Sequence, residues 1–134
     1  MKMIADTNVL MRAVLDDDVV QSRISRLALS SAEHIIISRH AFCEMAWLLR
    51  QRYKKSTAEI DRVIRGFLDA DNVITDAPAV RAGLEAMDAG ADFADGVIAY
   101  EGRWLGGETF VSFDKKAVDV LTKLGVESRL LKTH

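Results

Sequence analysis

Short apolar runs alternate along the chain with stretches in which apolar residues recur every three or four positions. The runs predict five short strands, at residues 3–5, 34–38, 72–75, 109–113 and 127–131. The helical spacing predicts helices that start near residue 9, near residue 20, and over 39–53, 56–68, 78–89, 93–105 and 115–123. This alternation predicts an α/β fold, a three-layer α/β/α sandwich with a short parallel sheet of four or five strands.

Capping residues agree with these boundaries. Ser38 precedes the helix over 39–53, and Ser56 with Glu59 has the form of a capping box. Gly90 and Gly125 follow predicted helices, where glycine commonly ends them. The helix over 39–53 is apolar nearly all round, so we expect it to be buried.

Composition places the chain among globular proteins. It has 134 residues, 49% of them apolar and 28% charged, with one proline, which predicts a single domain over residues 1–134. No apolar run approaches the roughly 18 residues that span a bilayer, so we expect no membrane partner. The single Cys43 forms no internal disulfide and no signal segment is evident at the start, which predicts a cytoplasmic location.

The net charge of −2 gives no whole-molecule attraction to nucleic acid, but charge is segregated along the chain. Residues 39–65 carry seven Lys or Arg and three acids, whereas residues 66–108 carry two and nine. Two solvated helical faces are the plainer interpretation of this pattern. The basic segment is also a candidate RNA-facing rim, through Arg50, Arg52, Lys54 and Lys55.

Four acids, Asp6, Glu44, Asp95 and Asp114, interrupt apolar segments. An unpaired buried carboxylate costs several kcal/mol, so such acids are capped, paired, neutralised or bound to metal. Asp6 and Asp114 each have the position of a helix N-cap, and Asp95 lies in a first turn that Asp92 can cap. Glu44 lies more than a turn inside its helix, where capping cannot account for it and a salt bridge to a distant Arg is the alternative.

In a parallel sheet the carboxyl ends of the strands and the amino ends of the following helices share one edge. We therefore expect these four carboxylates to converge there. Their mutual repulsion favours a divalent cation, and an all-oxygen ligand set selects Mg²⁺ or Mn²⁺ over zinc. Phosphodiester hydrolysis is the natural chemistry of such a site.

The ordered set of segments resembles the PIN-domain nucleases, over essentially the whole chain. The resemblance is carried by Asp6-Thr7-Asn8-Val9-Leu10, by Glu44, by Asp92-Phe93-Ala94-Asp95-Gly96 and by Phe110-Val111-Ser112-Phe113-Asp114. Length and the N-terminal placement of Asp6 are most similar to the bacterial VapC-type toxins of toxin-antitoxin pairs, with the FitB branch also close.

This resemblance implies a Mg²⁺- or Mn²⁺-dependent endoribonuclease whose catalytic, metal-binding residues are Asp6, Glu44, Asp95 and Asp114. It implies that Thr7, Asn8 and Ser112 orient these carboxylates and bound water, while Asp92 joins the site through water or only caps its helix. It also implies an RNA substrate, a homodimer, and a cognate antitoxin that covers the acidic cleft.

Some residues carry separate expectations. Gly96 stands where the family usually has alanine, which should loosen its helix by about 0.5–1 kcal/mol. His40 lies one turn before Glu44, on the same helix face, and is disfavoured as a ligand of a hard-oxygen site. Cys43 is expected to be a small buried side chain, and the spacing of the aromatic residues predicts that they belong to the core, namely Trp47, Phe67, Tyr100, Trp104 and Phe110.

Two other functions use similar acids. A structure-specific DNA nuclease would have the same pocket, because no residue type here reveals contacts to a 2′-hydroxyl. A receiver-like signalling domain would bind Mg²⁺ and accept a phosphoryl group on Asp. It would need paired acids after the first strand, where this chain has the single Asp6, and it leaves Glu44 without a role.

Overall fold

Helices and short parallel strands make up residues 1–133, the part of the chain that the computed structural model describes. The chain forms two compact units, Met1–Asp76 and the residues from Ala77 onward. The first unit contains β1 (Lys2–Ile4), α1 (Thr7–Val14), α2 (Val19–Ser31), β2 (His34–Ile36), α3 (Arg39–Gln51), α4 (Thr57–Leu68) and β3 (Val73–Ile74). The second contains α5 (Ala77–Asp88), α6 (Phe93–Trp104), β4 (Phe110–Ser112), α7 (Lys115–Lys123) and β5 (Ser128–Leu130).

The first unit is built on a three-stranded parallel sheet in the order β1-β2-β3. Met3 is in register with Ile35, and Ile35 with Val73. The helices bury large apolar side chains, which account for most of the hydrophobic free energy of folding. The largest of these side chains in this unit are Leu10, Met11, Ile37, Phe42, Met45, Leu49, Ile60 and Ile64.

The second unit pairs β4 with β5 in parallel, with Phe110 opposite Ser128. Its helices α5 and α6 pack closely, and glycine makes this possible. A Cβ added at Gly96 would lie 2.2 Å from the carbonyl oxygen of Ala82, and one added at Gly83 would lie 2.6 Å from the ring of Phe93. The expectation that Gly96 merely loosens its helix is therefore wrong, because the residue allows two helix backbones to approach each other.

The predicted strands and helices are confirmed in number, type and order, and the strands are parallel as expected. Within residues 1–133 the strands form a three-stranded and a two-stranded sheet, where the sequence predicted one sheet of four or five strands. Ser38 accepts a hydrogen bond from the Ala41 N–H at 3.0 Å, and Ser56 with Glu59 forms the predicted capping box. No helix in the described part of the chain is long and apolar enough to cross a membrane.

Helix α3 departs from its prediction, because it is amphipathic and not buried all round. One face packs into the core through Phe42, Met45 and Leu49, whereas Glu44 and Trp47 lie on the opposite, exposed face. Helix α2 shows the same effect. It buries Ser22, Ser25 and Leu29, and leaves Val19, Val20, Ile24 and Leu27 exposed. Apolar content alone did not decide which face of these helices meets the sheet.

Candidate active site

What we call the Glu44 cluster comprises Thr7, His40 and Glu44, whose side chains are in contact, together with Asp6, which precedes Thr7 in the chain. Asp6 caps α1, its carboxylate accepting a hydrogen bond from the Asn8 N–H at 3.3 Å. The buried Thr7 hydroxyl donates to Glu44 Oε1 at 2.9 Å, and His40 Nε2 lies 3.1 Å from the same oxygen. The Glu44 carboxylate is therefore held in place by two side chains.

Strand pairing explains how this cluster forms. Helix α1 follows β1 and helix α3 follows β2 after short connections, and β1 and β2 pair in parallel. The carboxyl ends of the two strands are neighbours, so the starts of the two helices are neighbours as well. The first and second motifs predicted from the sequence thus meet at the expected edge of the sheet.

Glu44 differs from its prediction in its burial. Its side chain is 48% exposed, on the α3 face opposite Phe42 and Met45. The helical period of 3.6 residues places it there, so the idea that an apolar environment isolates this acid was wrong. The partners in the structure are His40 and Thr7, whereas the sequence left a distant Arg as the alternative to a metal role.

The second unit holds the other predicted acids in what we call the Asp95 cluster: Asp92, Asp95, Ser112 and Asp114. Asp92 is the N-cap residue of α6, and its backbone N–H donates to Asp95 Oδ2 at 3.2 Å. Asp114 caps α7 by accepting from the N–H groups of Lys116 at 3.0 Å and Ala117 at 3.2 Å. Ser112 Oγ accepts from the Asp114 N–H at 3.0 Å, which fixes the turn that carries this acid.

Burial and neighbouring negative charges together set the pKa of the central acid in the Asp95 cluster. Burial raises the pKa of the Asp95 carboxyl above its ordinary value, and the negative charges of Asp92 and Asp114 raise it further. The hydrogen bond from the Asp92 N–H opposes this rise in pKa. None of the groups that shift this pKa is a cation. A cation bound beside Asp95 would relieve the repulsion that these carboxylates exert.

The polar positions predicted to orient the acids contribute unequally. Thr7 uses its side chain on Glu44, and Ser112 uses its side chain on the turn at Asp114. Asn8 contributes its backbone N–H to Asp6. Asp92 occupies the cap position of α6, one of the two roles that the sequence left open for it.

The residues present suit a hard divalent cation in their chemistry, since every predicted ligand offers carboxylate oxygen. In residues 1–133, no three His, Cys, Asp or Glu side chains stand together as a group that could hold a metal ion. The structure brings Glu44 together with Thr7 and His40, and it places Asp92, Asp95 and Asp114 within electrostatic reach of one another. Joint action of all four predicted ligands stays a prediction.

The predicted basic rim divides into two kinds of residue. Arg50 donates to Thr57 Oγ1 at 2.6 Å and lies near the carbonyl of Lys55, so it fastens the end of α3 to the start of α4. Lys55 Nζ lies 3.9 Å from Glu59 Oε2, so this cation already has an acidic neighbour. Arg52 and Lys54 are exposed, which leaves them as the better candidates for phosphate contacts.

The aromatic residues were expected in the core, and for two of them this was wrong. Trp47 is 62% exposed and Trp104 is 73% exposed. Trp104 Nε1 donates to the Tyr100 hydroxyl at 2.6 Å on the surface of α6. Phe67, Tyr100 and Phe110 are half-buried, and Cys43 is also only partly buried.

Sequence reasoning missed two features of the first unit. Arg12 joins Asp17 and Tyr53, each at 2.8 Å, and so ties α1 to the segments that follow α1 and α3. The contact between His40 and Glu44 was foreseeable from their spacing of four residues on one helix. The same count places Trp47 on the face of Glu44, although it does not show that this face is exposed.

Comparison with known families assigns the chain to one of them. The family description "PIN domain" matches residues 3–121, and the chain belongs to this family. PIN domains are generally nucleases and typically bind divalent metals such as Mg²⁺. The match gives no support to the receiver-like alternative. A search of curated proteins found no significant match.

Proposed function

We propose that the protein is a Mg²⁺- or Mn²⁺-dependent endoribonuclease. The observation that carries this proposal is the Asp95 cluster, in which burial first, and then the negative charges of Asp92 and Asp114, raise the pKa of Asp95 with no cation contributing to the shift, in a chain of the PIN domain family. A site built this way binds a divalent cation more strongly than its separate carboxylates would, because binding removes their repulsion.

In this proposal Asp6, Glu44, Asp95 and Asp114 hold the metal, and the cation polarises a phosphate oxygen and lowers the pKa of bound water when it is present. Thr7 keeps the Glu44 carboxylate in one orientation, and Ser112 fixes the turn before α7. Asp6 and Asp114 are caps as well as ligands, because each carboxylate has oxygen lone pairs beyond those that its backbone hydrogen bonds use.

Cleavage assays with matched carboxamide variants test the assignment. Wild type, Asp6→Asn and Asp95→Asn are compared on structured RNA, single-stranded RNA and single-stranded DNA, with Mg²⁺, with Mn²⁺ and with EDTA. Asp71→Asn is the control, since Asp71 is exposed and outside both clusters. We expect metal-dependent RNA cleavage by wild type and the control, and loss of cleavage in the two cluster variants.

Two results would change this assignment. Retained cleavage in both cluster variants, with their fold intact by circular dichroism, would remove these acids from the metal site. Cleavage of DNA and not RNA would establish the structure-specific DNA nuclease in place of the ribonuclease.

We further propose that the protein acts as the toxin of a type II toxin-antitoxin pair, as a cytoplasmic homodimer with a cognate antitoxin. Resemblance to the VapC-type toxins supports this role, and the exposed apolar residues of α2 offer a surface for a protein partner. Expression of wild type, but not of Asp95→Asn, should arrest bacterial growth. Sedimentation of the purified protein measures its oligomeric state, and a monomer at all concentrations would contradict the dimer.

A further inference from the structure

One face of α3 carries an exposed row of side chains, which we call the α3 row: His40, Glu44, Trp47 and Gln51. Their spacing of four, three and four residues puts them on one side of the helix. All four are exposed, whereas Phe42, Met45 and Leu49 on the other side are buried. The α3 row therefore presents an acid, an aromatic ring and an amide in succession to solvent.

Trp47 is unusual in this row because 62% of a large aromatic side chain faces water. Its neighbours along the row are polar, namely Glu44 on one side and Gln51 on the other. The exposed residues of α2 are different, since Val19, Val20, Ile24 and Leu27 are several large apolar side chains on one helix, with the exposed Arg23 among them, and protein partners commonly cover such groups. A single aromatic ring among polar and charged groups is typical of surfaces on which nucleic-acid bases stack.

Charged residues of the kinds that contact a metal and phosphates lie close to Trp47 in the sequence. Glu44, the candidate metal ligand, is one helical turn away, and residues at this spacing have Cβ atoms about 5–6 Å apart. Arg52 and Lys54 follow directly after the end of α3, and both are exposed. The order along the chain is thus a carboxylate for the metal and a ring for a base on α3, followed by cations for phosphates just beyond the helix.

We propose that Trp47 is a stacking residue for an unpaired base of the nucleic-acid substrate, next to the bond that is cleaved. This rests on the proposed nuclease function. A base in a duplex is already stacked on both faces, so a site that stacks one base on Trp47 favours single-stranded segments. Trp47 would thereby determine a preference for unpaired nucleotides at the cleavage position.

Tryptophan fluorescence measures this contact directly, since the chain has two tryptophans. Trp104→Phe leaves Trp47 as the only one, and the matched control Trp47→Phe leaves only Trp104. Each protein is titrated in EDTA with a single-stranded RNA oligonucleotide and with a hairpin of the same composition. We expect the single strand to quench Trp47 and shield it from iodide, with weaker effects from the hairpin and none on Trp104.

Kinetics provide the second readout. Trp47→Ala should raise KM for single-stranded RNA on the order of 5- to 150-fold, the range expected when one stacked base is no longer held, with a smaller change in kcat. Trp47→Phe should restore much of the affinity because phenylalanine also stacks, whereas a structural role would not favour the aromatic variant in KM alone. Trp104→Ala should leave KM unchanged.

Three results would overturn the stacking role. The first is an unchanged KM in Trp47→Ala, and the second is Trp47 emission that no oligonucleotide alters. The third is Trp47 already shielded from iodide in the free protein, with Trp47→Ala converting a dimer to a monomer in sedimentation, which would assign this face to self-association. Failure of the nuclease proposal is recognised separately, as absence of cleavage by wild type, because the fluorescence titration requires no cleavage.

Discussion

Thr7 and Glu44 are 37 positions apart in the sequence, and the hydroxyl of one donates a hydrogen bond to the carboxylate of the other across 2.9 Å. Thr7 is buried, while the Glu44 side chain is about half exposed. The bond therefore links a solvent-facing carboxylate to a hydroxyl that is packed in the protein interior. This is the arrangement expected of a residue that orients a metal ligand.

Thr7→Val keeps the shape of the side chain and removes the hydroxyl. We expect it to weaken Mn²⁺ binding or cleavage by roughly 10- to 100-fold, because the Glu44 carboxylate loses its fixed orientation. Isothermal titration with Mn²⁺ and cleavage rates measure the effect. Thr7→Ser is the matched control and should stay close to wild type, and an equal effect in both variants would point to packing of the methyl group.

Asp95→Asn should stabilise the metal-free protein at neutral pH. The ordinary pKa of the Asp95 carboxyl is 3.8, and folding raises this pKa. Between pH 3.8 and the raised pKa, the folded protein therefore binds this proton more tightly than the unfolded chain does. The free energy of unfolding consequently falls as the pH rises from 3.8 to the raised pKa. It stays lower at all higher pH values, where Asp95 is ionised in the folded protein. The asparagine variant has no such cost.

Urea unfolding at pH 3.8 and pH 7, with and without Mg²⁺, measures this difference. The stability gain of Asp95→Asn over wild type should be larger at pH 7, and Mg²⁺ should raise the stability of wild type more than that of the variant. Asp71→Asn serves as the control and should show neither dependence. A gain of the same size at both pH values would contradict the raised pKa.

Gly96→Ala should destabilise the protein although alanine is the better helix former. The new Cβ would lie 2.2 Å from the Ala82 carbonyl oxygen, so the helices must move apart, at a cost of about 1–3 kcal/mol in the free energy of unfolding. Gly102→Ala, in the same helix with nothing within 4 Å of the added Cβ, should instead gain about 0.5–1 kcal/mol. Thermal and urea unfolding compare the two, and a gain in both would refute the close approach.

Arg12→Met should destabilise the first unit, because Asp17 and Tyr53 each lose a hydrogen bond from the guanidinium. The side chain of Arg12 is only 16% exposed and donates from two nitrogens, so we expect a measurable decrease in the free energy of unfolding. Tyr53→Phe removes one of these bonds and should cost about 0.5–1.5 kcal/mol. Arg12→Lys should not restore stability, since an ammonium lacks the fork that reaches both acceptors, and full rescue by lysine would show that charge alone matters.

Replacing Arg52 and Lys54 by glutamate should weaken RNA binding and its salt dependence. Removing one cation that pairs with a phosphate of a single strand lowers the slope of log affinity against log salt by about 0.7, so the double variant should show a slope lower by about 1.4. Fluorescence anisotropy in EDTA at several salt concentrations gives both quantities. Lys132→Glu, also exposed, is the control, and an unchanged slope in the double variant would remove these residues from the RNA surface.

Local signals in the sequence predicted the elements and their ends well. Ser38 and Ser56 cap the helices that they were expected to cap, because an N-cap needs only its own side chain and the next three N–H groups. Asp6 and Asp114 are N-caps for the same reason. The sequence likewise predicted that Glu44 would lie near the residues that follow β1, since parallel pairing brings neighbouring strand ends together.

Features that depend on which faces meet were not predictable in this way. Glu44 and Trp47 were both placed in apolar surroundings, and both are on the exposed side of α3. The run from Ala41 to Leu49 is so apolar that its composition conceals the period of 3.6 residues. Gly96 was judged by its helix propensity alone, because the backbone of Ala82 that requires it is fourteen residues earlier in the chain.

The sequence by itself determined the order of strands and helices, their caps, the parallel pairing and the acids that follow the strands, since each depends on residues close in the chain or on a general rule of α/β connection. Only the tertiary structure decided which face of α3 is exposed, that Thr7 holds Glu44, that burial together with the charges of Asp92 and Asp114 raises the pKa of Asp95, and that α5 and α6 touch at Gly96. These are contacts between distant segments, and their distances are fixed by packing, which no local pattern records.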